Sequence, residues 1–133
     1  LKINNDIDIR DTLIFGSYDP DKYMGGVRHY NNLSADTLEE IVKHDFADPT
    51  DMQNESPSLQ HFLLFAKHWK QYNVKLHGYV VSLDREDYRF TVEGIESATS
   101  EDYCLDYILQ FVESFRYADE FLLNKHKSRC WYD

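Results

Sequence analysis

Val74-Lys75-Leu76-His77-Gly78-Tyr79-Val80-Val81 is the stretch on which the fold turns. Val74, Leu76, Gly78 and Val80 fall on one side of an extended chain and Lys75, His77, Tyr79 and Val81 on the other, the period of two that a strand requires. Asp84-Arg85-Glu86-Asp87 breaks the pattern, and Tyr88, Phe90 and Val92 then alternate with Arg89, Thr91 and Glu93. Residues 74–83 and 88–95 therefore read as an antiparallel hairpin. Two strands alone are marginal and need a third strand or a helix for cover.

Helical spacing flanks this hairpin on both sides. Ser34 is placed to cap, Leu33 and Leu38 form a hydrophobic staple, and Leu38, Ile41, Val42 and Phe46 recur on one face, which predicts a helix over 35–46 stopped at Asp48-Pro49. Ser56-Pro57 supplies a second cap, and Leu59, Phe62, Leu63, Ala66, Trp69 and Tyr72 mark a broad apolar stripe for the central helix. Thr99 and Asp102 have the spacing of a capping box. Cys104, Leu105, Ile108, Phe111, Val112 and Phe115 carry a third helix to about Tyr117. Phe121-Leu122-Leu123 and the tail to Tyr132 read as one further strand. The expected fold is α+β, a small antiparallel sheet of about three strands packed on one face by about three helices.

Residues 1–133 read as a single domain, of a size that buries a core without metal or disulfide help. Residues 1–33 read as an irregular N-terminal segment packed on that core. Ile7 and Ile9 alternate with acids, and Ser17–Asn32 is dense in Asp, Pro, Gly and Tyr, as an ordered loop would be. Two cysteines are too few for a disulfide framework, and Cys104 is expected to be a buried free thiol. No window approaches the roughly 18 apolar residues of a membrane span, and Leu1–Asp6 lacks the apolar run of a signal peptide. A soluble protein of a reducing cytoplasm is the expectation. The absence of an initiator Met leaves a removed leader open.

Charge narrows the function classes. The chain carries 24 acids against 14 bases, a net of −10, and residues 1–60 hold twelve acids and five bases, or −7 of it. Such a surface repels nucleic acid and anionic membranes and favours a basic partner. Direct nucleic-acid binding and membrane association are therefore not expected. Lys125, Lys127 and Arg129 alternate near the C-terminus, a pattern that would line phosphate or, more simply, guard an exposed edge strand.

No motif for chemistry stands up. His61, His68 and His77 lack the short spacing of a zinc ligand pair, and Asp19-Pro20-Asp21 before Gly25-Gly26 lacks the later ligands of a calcium loop. There is no Gly-x-Ser-x-Gly elbow and no phosphate-cradling loop, so neither cofactor nor metal is expected. Three functional readings follow. The leading one is a small acidic, non-catalytic protein-binding domain, an inhibitor or nucleic-acid mimic whose Asp36, Glu39, Glu40, Asp48 and Asp51 dock on a basic partner with Tyr18, Tyr23 and Tyr30 as anchors. The second is an enzyme using His29 with Asp19 or Asp21 in a pocket under the 17–32 loop. The third is a homodimer covered by Tyr79, Tyr88, Phe90 and Trp131.

Overall fold

A computed structural model describes residues 1–133. In chain order its elements are α1 (Ile7–Phe15), β1 (Val27–Ser34), α2 (Ala35–Lys43), α3 (Leu59–His68), β2 (Lys75–Val81), β3 (Gly94–Ala98), α4 (Leu105–Phe115), β4 (Glu120–Leu123) and β5 (Lys127–Trp131). The class is α+β, with four helices and a five-stranded sheet in the order β1-β2-β3-β5-β4, every neighbouring pair antiparallel. The sheet thus has two strands more, and the chain one helix more, than the sequence led us to expect.

Alternation along the strands sorts side chains onto two faces. Leu33 pairs with Leu76, Leu76 with Ile95, Ile95 with Cys130 and Cys130 with Phe121, and this parity faces the helices. Leu76, Ile95 and Cys130 are fully buried in one cluster with Leu38 and Ile41 of α2, Phe62 and Phe65 of α3, and Tyr107, Phe111 and Phe115 of α4. Aromatic rings dominate the contact: Phe62 stacks on Phe115 at 5.4 Å, and Phe65 meets Phe115 edge-on at 5.0 Å. Ser128 is buried without penalty, because the hydroxyls of Tyr107 and Tyr103 lie 2.6 and 3.1 Å from its Oγ. The opposite parity, with His29, His77, Tyr79, Glu96, Arg129 and Trp131, carries no helix.

The largest departure is at the N-terminus, where residues 1–33 hold α1 and β1 in place of an irregular segment. Asp6 caps α1 by accepting from the Ile9 amide, and Gly16 ends it at φ 86°. Its inward face sets a charged pair among Ile7, Leu13 and Ile14. Arg10 and Asp11 are fully buried, with Arg10 Nε donating to Asp11 Oδ1 at 2.9 Å, Nη1 to the Val81 carbonyl at 3.1 Å and Nη2 to the Tyr23 hydroxyl at 3.0 Å. The Tyr23 hydroxyl in turn donates to Asp11 Oδ2, and the guanidinium lies 4.6 Å above the Tyr88 ring. An apolar-stripe search does not find a helix that buries an ion pair.

Other boundaries move for local reasons. Ser34 caps α2 through the Thr37 amide, but the helix ends at Lys43 because Asp45 turns left-handed at φ 63°. Ser58, not Ser56, caps α3; Ser56 Oγ is taken by the Gln53 amide and the Pro57 carbonyl. Residues 89–93 follow β2 without forming a regular ladder, since Thr91 Oγ1 accepts from the Tyr79 amide and donates to the Tyr79 carbonyl. Thr99 and Asp102 do not start α4. The Thr99 and Tyr103 amides bond to the His126 and Lys125 carbonyls, and Cys104, at the N-cap, offers no side-chain bond to the amides of the helix start.

The C-terminal stretch is a hairpin, turned at Asn124, whose Oδ1 accepts from the His126 and Lys127 amides. This makes β5 interior, so Lys127 and Arg129 do not guard an edge; the edges are β1 and β4. It also reverses the cysteines: Cys130 is buried under the helices and Cys104 is exposed. No helix is long and apolar enough to cross a membrane.

Candidate functional site

Four strands converge on the helix-free face to build a cleft of about 270 Å³. His29 and Asn31 come from β1, His77 from β2, Glu96 from β3, and Arg129 and Trp131 from β5, with Glu93 just before β3. A bulge in β1 opens this corner: three steps from Tyr30 to Leu33 match two from Gly78 to Leu76, with Asn32 at φ 55°. Gly94 lies between His77 and Trp131, paired with both across the sheet. A Cβ there would collide with the Cys130 carbonyl and with His77 Nε2, so the imidazole lies directly on bare backbone.

Rings and charges line the walls. Trp131 meets His77 edge-on at 5.5 Å, and His29 sits 5.8 Å from Tyr79 at its mouth. The Arg129 guanidinium lies 5.1 Å from the Trp131 ring, with Nε 3.3 Å from Glu96 and Nη1 3.5 Å from Glu120. His77 Nε2 and Trp131 Nε1 are buried without a hydrogen bond of good geometry, although the indole is close enough to the Glu93 carboxyl to lower its pKa. Burial, and then the charge of Arg129, push the His77 imidazole down to about 4, against the smaller opposing pull of the Cys130 carbonyl, so the ring is neutral at physiological pH.

Glu93 is the unusual carboxylate. It is 8% exposed and forms no ion pair, whereas Glu96 and Glu120 share Arg129. Burial raises its pKa above the ordinary carboxylate range and Asp133 adds to the rise, while the Trp131 indole and His29 partly oppose it. It is the carboxylate of this face with no cation.

The acids expected to form a partner surface are already engaged. Asp36 pairs with Lys70 at 2.7 Å, Glu39 with Lys67, and Glu40 with His44 at 3.2 Å. Asp48 accepts from the Thr50 amide and hydroxyl at 2.9 and 2.7 Å, and Asp51 from Gln53 Nε2 at 3.2 Å. Of the three tyrosines, Tyr18 is at the surface, Tyr23 closes the Arg10–Asp11 lock, and Tyr30 is a core residue stacked on Phe90 at 5.1 Å with its hydroxyl on the Thr91 carbonyl.

His29 does line a cleft, but Asp19 and Asp21 do not: Asp19 caps the short turn Pro20–Lys22 by accepting from the Asp21 amide. The carboxylates beside His29 are Glu93 and Glu96. Of the four residues expected to cover a dimer interface, Phe90 is buried, Tyr88 is half-buried with its hydroxyl on the Asn4 carbonyl, and Tyr79 and Trp131 are partly exposed. His61 and His68 lie in an open groove between α3 and α4, where His61 Nε2 is 2.9 Å from Ser114 Oγ, on the other side of the sheet from His77. No three His, Cys, Asp or Glu side chains come together as a metal site. Compared with family models, with curated proteins and with solved structures, the chain matches none.

Proposed function

We propose that this chain is a non-catalytic binding domain that docks on a basic partner through the helix-free face of its sheet. The observation that carries the reading is Glu93, a mostly buried carboxylate without a cation in a cleft walled by Trp131, His77 and His29. The α2 acids favour it less, since Lys67 and Lys70 already neutralise Glu39 and Asp36. A net charge of −10 steers a cationic protein toward the domain, and a cleft with aromatic walls supplies the anchoring site. The most concrete form is an inhibitor that occupies the basic, phosphate-binding surface of a nucleic-acid enzyme.

The test is photo-crosslinking in extract of the native cell, with a crosslinking residue replacing His29 at the mouth of the cleft or Glu113 on α4. The expected result is a basic protein captured from position 29, not from position 113, and lost as salt rises. Capture from both positions alike, or of no basic protein, overturns the reading.

One observation favours proton transfer as a second reading. A carboxyl with a raised pKa beside an imidazole is the pairing a general acid–base site uses, and Glu93 with His29 provides it. Turnover of a small molecule that is abolished by both Glu93→Gln and His29→Gln would establish it.

A further inference from the structure

We propose that the cleft seats a guanidinium, the side chain of an arginine presented by the basic partner, with Glu93 as its counter-ion and the rings of Trp131 and His29 as its walls. The inference rests on the docking reading above and names the group that is recognised. Size limits the occupant first. At about 270 Å³ the cleft falls below the roughly 300–1,000 Å³ of pockets that enclose drug-sized ligands, and it suits one long side chain inserted from a neighbour.

Charge limits it next. Arg129 is shared by Glu96 and Glu120, and Lys75 stands across from Glu96 on the next strand, so Glu93 is left with no ion pair. His77 is neutral, and Asp133 adds a further negative field at Glu93. A carboxylate ligand would meet this surplus, whereas a cation relieves it.

The walls then choose between cations. An ammonium is a compact and strongly hydrated charge, while a guanidinium is planar, weakly hydrated and stacks on rings. The fold uses that contact repeatedly: Arg129 with Trp131, Arg28 at 3.6 Å from the Phe15 ring and Arg10 over Tyr88. Arg129, held between a tryptophan and a glutamate, already shows within the chain the arrangement proposed for the incoming side chain. Arginine is also among the residues that most often dominate protein interfaces.

The test needs no knowledge of the partner. The full chain, labelled with ¹⁵N, is titrated at low ionic strength with Nα-acetyl-arginine amide and, separately, with Nα-acetyl-lysine amide. The expected result is a saturable shift of the Trp131 indole N–H resonance, with the arginine compound binding several-fold more tightly. Glu93→Gln is expected to weaken that binding by about tenfold or more, as loss of a charged hydrogen-bond partner does. Glu93→Asp, which keeps the charge on a shorter arm, provides a second variant should the first disturb the fold, and is expected to retain weaker binding. No shift at Trp131, equal affinity for both compounds, or binding unchanged in Glu93→Gln overturns the inference. Crosslinking of a basic protein from position 29 that survives Glu93→Gln overturns it while leaving the docking reading intact; absence of any such protein removes the docking reading itself.

Discussion

His77 should make the protein acid-sensitive by an amount the structure allows us to work out. Its imidazole lies on Gly94 under Trp131, held near 4 by burial and by Arg129, against an ordinary value near 6.5. A histidine depressed in the folded state is neutral in both states near neutral pH and contributes nothing there. As pH falls below 6.5 the unfolded chain takes up a proton that the folded chain refuses, and stability drops until the folded value is passed. At about pH 5 the loss is about 2 kcal/mol, rising toward about 3 kcal/mol below pH 4. Urea denaturation of the wild type and of His77→Gln, near neutral pH and at about pH 5, measures it. Glu93 and the other titrating groups are common to both proteins, so the difference between the two pH dependences isolates the ring. A loss about 2 kcal/mol larger in the wild type, which is about 1 M in midpoint, is expected. Parallel pH dependences, or a His77 ring that titrates near its ordinary value by NMR, would refute the burial argument.

Two further outcomes follow from buried and exposed groups elsewhere. Asp11→Asn leaves the Arg10 guanidinium buried without its counter-charge and is expected to cost about 3–5 kcal/mol in chemical denaturation, with Arg10→Met/Asp11→Leu costing less than the single change; a single-variant cost below about 1 kcal/mol would mean the pair is not isolated from water. A thiol-specific disulfide reagent should modify one cysteine of the folded protein and the second only in denaturant. Cys104 is exposed at a helix start, with its thiol lowered chiefly by the Tyr72 hydroxyl, whereas burial pushes the Cys130 thiol up to about 12, so two fast thiols or none would contradict the placement of β5.

What could be read from the sequence was what local chemistry fixes. The alternation over 75–81 gave a strand with the right residues on each side, and Ser34 caps α2 as its spacing implies. Where a distant partner decides, the sequence does not show it. Asp36 and Glu39 look like a free acidic patch until the turn after α3 brings Lys70, and α3 itself Lys67, against them from 34 and 28 residues away. Helix α1 stayed hidden because Arg10 and Asp11 interrupt its inward face between Ile7 and Ile14, their solvation replaced by Tyr23 and by the Val81 carbonyl. The cleft was invisible for the same reason: β3 and β5 are neighbours in space and separated in the chain by α4 and β4. One signal was nonetheless present. His77 already stood on the side of β2 opposite Leu76 and Val80, away from the core.

That outward side is where the chain departs from the choices that favour folding alone. Facing water, a strand gains nothing from a carboxyl desolvated beside a second acid, an imidazole too buried to protonate near neutral pH, or an indole N–H held off good hydrogen-bond geometry. Glu93, His77 and Trp131 are these three, and all line one cleft. Each opposes stability: raised carboxyls and depressed imidazoles are groups whose charged forms the fold disfavours. On α2, by contrast, the same chain neutralises its acids with lysines at little structural cost. If surplus negative charge served only solubility, it would be carried by fully hydrated side chains, and Glu93, mostly buried and without the arginine that Asp11 has, is poorly suited to the task. Of the four buried side-chain atoms without a good partner, Arg28 Nη1 and Ser82 Oγ lie outside this concavity. Only within it do two of them, His77 Nε2 and Trp131 Nε1, stand together with a desolvated carboxyl, and that coincidence supports the proposal that the cleft receives a ligand.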